Sequence, residues 1–227
     1  VDSKNAVLAT AAKMLPQKYM NQYDSFKLDA YMRQRMPDGA FADSYDDLLR
    51  VADHTLPVFK KLLGDIVRDA GLDPDAPATH EGEKLALDAE KGLYFKHLTI
   101  APPKSRERCE EKAQNEYGGD FSQIVDATRC SVVVQDEKEL LAVAEHLVKA
   151  SRSAELLLGS GKVTIGDFVL VRLKNRFKHP LFNGYQDGLY SIAVYVGGGL
   201  WAVCEVQLHL AAILVHKETS HKVTSWQ

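Results

Sequence analysis

The hydrophobic pattern changes period along the chain, and the change divides it. Between Phe168 and Leu210 the chain reads as strands, with apolar and polar residues alternating over 171–174 and 205–209, the period of an extended strand. Alternation places Arg172, Lys174 and Arg176 on one face and Val171, Leu173 and Phe177 on the other. The runs 189–196 and 201–209 read as two further strands, and Gly197-Gly198-Gly199 between them as a hairpin turn. On the last strand Glu205, Gln207 and His209 share a face, while Val203, Val206 and Leu208 favour extended backbone. A carboxylate is thereby expected to face a basic stripe. Asn183-Gly184-Tyr185 has turn chemistry that holds an aromatic ring at a strand mouth.

Upstream the period is helical. Residues 4–22 and 25–36 are expected as helices, the second ending before Pro37-Asp38-Gly39. Ser44, with Asp46 and Asp47 behind it, opens the strongest helical pattern, which Leu48, Leu49, Val51 and Ala52 and then Val58, Phe59, Leu62, Leu63, Ile66 and Val67 carry to a stop at Gly71. Thr55-Leu56-Pro57 is expected to cap, restart or kink it. Residues 72–83, with Pro74, Pro77 and several acids, read as a linker. Residues 93–100 fit a strand and Gly118-Gly119 a break; Asp126 leads into a strand to Val134, and 137–149 form an amphipathic helix. Gly159-Ser160-Gly161 lacks the Lys-Ser/Thr of a P-loop, and residues 210–215 are helix-capable. The division is thus a helical N-terminal region, 1–92, and a catalytic region, 93–227, of α+β class: a mixed, mostly antiparallel sheet flanked by helices.

Composition narrows the chemistry. With 227 residues, 45% hydrophobic and 26% charged, the chain is an ordinary globular one. Its net charge is −3; 16 basic and 15 acidic residues lie from residue 93 onward, 12 and 16 before it. A phosphate site must therefore be a local cluster, and a broad polyanion surface is excluded. Cys109, Cys130 and Cys204 are too few and scattered for a disulfide framework or zinc knuckle, which indicates a reducing, cytoplasmic setting. No run has the ~20 apolar residues that span a bilayer, so no membrane is expected as partner. His54, His80 and His97 are isolated and read as surface or satisfied residues; His216 and His221 read as surface residues.

Two clusters hold candidate chemistry. Lys104, Arg106, Arg108 and Lys112 concentrate positive charge: extended, the first three share a face; if a helix starts near Ser105, Arg108 and Lys112 become the matched pair. Taken alone, with Glu107, Glu110 and Glu111 among them, they read as a salt-bridged helix start. Asp126 at a strand's start suits Mg²⁺, because hard cations take oxygen ligands and share them with substrate phosphates; a turn-forming role fits equally.

The separated motifs together resemble the synthetase domain of the RelA/SpoT family, the (p)ppGpp synthetases. They are Lys104-Ser-Arg-Glu-Arg108 with Lys112, Asp126-Ala-Thr-Arg129, Lys174 through Asn183-Gly184-Tyr185, and Glu205-Val-Gln207, in the family's order and spanning about residues 93–227. The resemblance implies a Mg²⁺-dependent pyrophosphokinase that transfers the β,γ-pyrophosphate of ATP to the 3′ hydroxyl of GDP or GTP and releases AMP. It implies ATP phosphates on Lys104, Arg106, Arg108, Lys112 and Arg129, and metal on Asp126 and Glu205. It implies Glu205 also as general base, and the acceptor on Lys174, Arg176, Asn183, Tyr185, Gln207 and His209. The N-terminal half has no His-Asp pair of the kind the family's hydrolase domains use.

Two departures fall on the acceptor side. Tyr185-Gln186 is followed by Asp187-Gly188-Leu189 where the family has Ser-Leu-His, and Gln207 is followed by Leu208-His209 where it has a variant of Arg-Thr. They leave open a relative that modifies adenosine nucleotides or tRNA, although the near-neutral catalytic half disfavours tRNA. A non-catalytic nucleotide sensor is the third reading.

Overall fold

The computed structural model describes residues 33–80, 83–84, 96–152, 163–182 and 184–214. The helix expected at 4–22 and most of that at 25–36 lie outside the described residues, as do Asn183, His216 and His221. The last residues of the second, 33–36, are not helical: Arg35 forms an isolated bridge with Phe41.

Ser44 accepts a hydrogen bond from the Asp47 amide and starts α1, Tyr45–Asp69, with Asp46 and Asp47 in the first turn, where the helix dipole favours acids. Gly71, at φ 85°, follows its end. Pro57 sits inside α1 and neither caps nor restarts it. Val51, Phe59, Leu63 and Val67 are buried in one core, and their packing outweighs the one backbone hydrogen bond a proline removes.

A short pair, β1 (Thr79–His80) and β2 (Glu83–Lys84), precedes the main sheet. That sheet holds β3 (Leu98–Ile100), β4 (Thr128–Val134), β5 (Phe168–Asn175), β6 (Gly188–Gly197) and β7 (Leu200–Leu210), in the order β3-β4-β7-β6-β5. Only β4 and β7 run parallel. The architecture is α+β with a mixed, mostly antiparallel sheet. Of the strand expected over 93–100, residues 93–95 lie outside the described residues, and the described part is Leu98–Ile100.

Two more helices follow from local signals. Ser105 caps α2, Arg106–Tyr117, which Gly118 ends in the left-handed region at φ 59°. Asp136 caps α3, Glu137–Ala150. α1 and α3 cover one sheet face, burying Cys130, Val132, Tyr190, Ile192, Cys204, Val206 and Leu208. Ala42, Leu48, Cys109, Ala113, Ile124 and Ala127 form a second cluster between α1 and α2. The stretch expected as a linker is laid against the sheet, with Leu98 donating to the Pro74 carbonyl and His97 to that of Ala76. All three cysteines are free and buried. Among the described residues no helix is long and apolar enough to cross a membrane.

Register assembles the opposite face. Arg129 pairs with Glu205, Glu205 with Ser191, and Ser191 with Arg172, so one row crosses four strands. The next row runs Ser131, Gln207, Leu189, Lys174. Directly paired residues project to the same side. Their alternate neighbours fill the core. A register shift between Leu170 and Arg172 makes Val171 a bulge, which lets Val169 and Arg172 point the same way.

Candidate functional site

On the helix side of that face, the start of α2 brings cations to one carboxylate. Lys104 and Lys112 both donate to Asp126 Oδ2, Lys112 at 3.0 Å. Asp126 Oδ1 is buried with no hydrogen-bond partner. Burial would raise the Asp126 carboxyl, but the hydrogen bonds and charges of the two lysines outweigh it and hold it below the ordinary carboxylate range. Burial would lower Lys112; Asp126 outweighs that and raises it. A cavity of about 630 Å³ opens beside them, lined by Lys104, Arg108, Lys112 and Arg129, with Glu111 and Glu116 as its acids. Four cations against two lining carboxylates, set along the length of α2, make an anion-attracting hollow.

The helical start decides the earlier alternative: Arg108 and Lys112 are the matched pair, and both line the cavity. Arg106 does not line it. Its guanidinium binds Asp46 at 2.6 Å, approaches Glu110 at 3.6 Å and lies 4.5 Å from the Tyr45 ring centroid. Arg106 here ties α2 to the first turn of α1.

Across the sheet, Glu205 is buried and its Oε1 accepts from Gln207 Nε2 at 2.7 Å. Lys174 stands on the edge strand β5. Burial and the charges of Arg172 and Arg176 lower its pKa, against the pull of Glu205. Arg172, paired in register with Ser191, has a buried Nε without a hydrogen-bond partner.

Arg176 leaves the basic stripe, because β5 ends at Asn175. Its Nη1 lies 3.0 and 3.2 Å from the two carboxylate oxygens of Asp187, whose side chain is 2% exposed. Its amide also donates to the Asp187 carbonyl. The pair closes the base of the loop carrying Tyr185. Arg176 is thus paired within the fold in this ligand-free structure. The Tyr185 hydroxyl meets His209 Nδ1 at 3.0 Å, and His209 is itself 2% exposed. His209 reaches the site through Tyr185.

Two residues escaped sequence reasoning. Gln34 is buried, and its amide donates to the Val203 carbonyl at 2.7 Å and accepts from the Val203 amide at 3.1 Å. It stands in for a strand neighbour beside β7, two residues before Glu205, where β4 has not yet begun. Its partner is 169 residues away, so no local pattern marks it. Asp187 was visible only as a departure from the family motif.

Among the described residues no three His, Cys, Asp or Glu side chains converge as a metal cage. Mg²⁺ does not need one: it keeps waters and takes one or two carboxylates together with substrate phosphates. Asp126 and Glu205 are oxygen donors of that kind, and the orphaned Oδ1 of Asp126 is a buried acceptor lacking a donor. The residues present fit the ion.

These elements define a mixed five-stranded sheet with flanking helices, a fold shared with a solved small alarmone synthetase. In particular it is similar in structure to the small alarmone synthetase 2 from Bacillus subtilis, at TM-score 0.54 and 17% identity over 80% of each chain. Other similar structures are a GTP pyrophosphokinase family protein from Streptococcus pneumoniae (TM-score 0.47, 15% identity, 76% of this chain and 75% of that) and the small alarmone synthetase 1 from Bacillus subtilis bound to its product pppGpp (0.46, 14%, 76% and 80%). No family model matches the sequence, and no curated protein matches it.

Proposed function

We propose that the protein is a Mg²⁺-dependent pyrophosphokinase that moves the β,γ-pyrophosphate of ATP onto the 3′ hydroxyl of GDP or GTP, forming (p)ppGpp and AMP. The observation that carries this reading is the row Arg129, Glu205, Ser191, Arg172, with the cation-lined cavity at its Arg129 end. Lys104, Arg108, Lys112 and Arg129 receive the triphosphate. Arginine suits bidentate oxygen contacts, lysine point-charge ones. Lys174 and Arg172 attract the acceptor's phosphates, and Tyr185 stacks on its base.

The acceptor's 3′ oxygen attacks the β-phosphorus, the bond from that phosphorus to the α,β-bridging oxygen breaks, and AMP departs with the electron pair. Glu205 takes the hydroxyl proton, oriented by the Gln207 amide on its Oε1. Asp126 and Glu205 would hold Mg²⁺, which when bound would supply charge neutralisation at the phosphates. Little further chemistry is required, since phosphoryl transfer rests on positioning and electrostatics.

The test is incubation with γ-labelled ATP, Mg²⁺ and, separately, GDP, GTP, ADP, ATP or tRNA, with AMP and labelled product followed by anion exchange and mass spectrometry. AMP with label on GDP or GTP is expected. Label on an adenosine nucleotide or on tRNA would replace the acceptor. Nucleotide binding without AMP would make the protein a sensor.

A further inference from the structure

Asp126 is claimed twice. It is the carboxylate suited to a metal, yet one of its oxygens is occupied by two ammonium groups and the other is buried without a donor. The same lysines are two of the four cations lining the cavity. An ammonium hydrogen-bonded to a buried carboxylate is partly neutralised and is a poorer ligand for phosphate. A carboxylate already holding two ammonium groups is a poorer ligand for a cation.

We infer that Lys104 and Lys112 form a counter-ion lock on Asp126, so that the free protein takes neither the polyphosphate nor the divalent cation well, and each ligand releases the partner of the other. A triphosphate entering the cavity draws the lysines onto its oxygens and bares Oδ2 next to the orphaned Oδ1. A cation on Asp126 frees the lysines for phosphate. By linkage the coupling is reciprocal: whatever factor the anion contributes to cation affinity, the cation returns to anion affinity. Arg108, which pairs with exposed Glu111 rather than with Asp126, lies outside the lock. The inference rests on the reading of the cavity as a triphosphate site, but the cation half stands without it.

The lock makes a counterintuitive prediction for Asp126→Asn, which keeps the shape and removes the charge holding the lysines. In EDTA, with no metal present, calorimetric titration with ATP should show the variant binding roughly tenfold tighter than the wild type. A metal ligand alone would give no change without metal. Losing any nearby carboxylate also relieves repulsion of the anion, so Glu205→Gln, which frees no ammonium group, is the control. The gain from Asp126→Asn must exceed the gain from Glu205→Gln; equal gains, or none, overturn the lock. The converse arm uses Mn²⁺ alone, followed by electron paramagnetic resonance on nucleotide-free protein. Lys112→Gln and Lys104→Gln should each bind Mn²⁺ roughly tenfold tighter than wild type, and adding Asp126→Asn should abolish the gain. Unchanged Mn²⁺ affinity in both lysine variants also overturns it. If the wild type binds no ATP with or without Mg²⁺, the proposed function fails, and the Mn²⁺ arm still decides whether the lysines guard Asp126. Thermal melts of each variant establish that it is folded.

Discussion

The two cationic clusters on the polar side of the sheet are balanced to different degrees. At the start of α2 the positive charge is balanced within the protein: Lys104 and Lys112 on Asp126, Arg108 on Glu111, Arg106 on Asp46. On the β5 edge it is less fully matched: Arg176 is paired with Asp187, but burial and the charges of Arg172 and Arg176 outweigh the pull of Glu205 on Lys174, and Arg172 keeps a buried Nε without a hydrogen-bond partner. A balanced cluster is stable when empty and must be opened by its ligand. A less matched cluster is under electrostatic stress when empty and is relieved by an anion. The contrast suits a donor that arrives with a metal and an acceptor recognised largely through its phosphates.

The largest effect should come from the residue between the clusters. Glu205→Gln is expected to lower kcat by about a thousandfold, within the range general bases contribute, while MgATP affinity changes little. Single-turnover kinetics with parallel calorimetry checks this. Normal turnover in that variant would remove the proton-transfer role and the meaning of the comparison with it.

Next is the ion pair that holds Arg176 in this structure. Asp187 is buried, and removing its partner leaves an uncompensated charge, which costs about 3–5 kcal/mol in buried pairs; the partial exposure of Arg176 points to the lower end. Urea unfolding of Arg176→Met should show that loss, and adding Asp187→Asn should recover much of it. If instead the single variant is as stable as the wild type and acceptor KM rises sharply, Arg176 belongs with the unmatched charge of the β5 edge.

The aromatic at the acceptor end sharpens the contrast by dividing contact from support. Tyr185→Ala should raise acceptor KM about tenfold or more with a small change in kcat, since base stacking on an aromatic ring is worth roughly 1–3 kcal/mol. His209→Ala should have a smaller effect in the same direction, rescued in part by Asn. The two should be non-additive, because His209 acts through the Tyr185 hydroxyl. Additive losses would give His209 a contact of its own.

What sequence patterning made legible was whatever is decided within a few residues. Ser44 and Ser105 opened helices because their side chains cap the amide three residues on. Gly118 and Gly119 ended α2, and Gly197 to Gly199 turned β6 into β7, because the positive φ values there suit glycine. Alternation put Glu205, Gln207 and His209 on one face as expected. The contacts that patterning did not show were those whose partners are remote. Period-two counting carried Arg176 onto the basic stripe because it cannot see that the strand ends one residue earlier or that Asp187 waits eleven residues on. Arg106 looked like Arg108 until Asp46, sixty residues upstream, claimed it. Charge alone does not tell a phosphate ligand from a tie.

The smallest expected effect tests the idea of stress directly. Lys174 is held below the ordinary lysine value, so its protonated form is disfavoured by the fold. A lysine depressed in this way destabilises the folded state while protonated, and the penalty fades as pH rises from the folded pKa toward 10.5, where the unfolded chain also loses its proton. Lys174→Met should therefore be slightly more stable than wild type at pH 7, by roughly 0.5 kcal/mol or less because the side chain is solvent-screened. That gain should shrink at high salt and at alkaline pH. The same substitution should raise acceptor KM, since the charge that burdens the empty fold is the charge offered to phosphate. Matched substitution in the balanced cluster should go the other way: Lys112→Met removes a partner of buried Asp126 and should lose stability at pH 7. A stabilised Lys112 variant, or a destabilised Lys174 variant, would show that the two clusters differ in position alone.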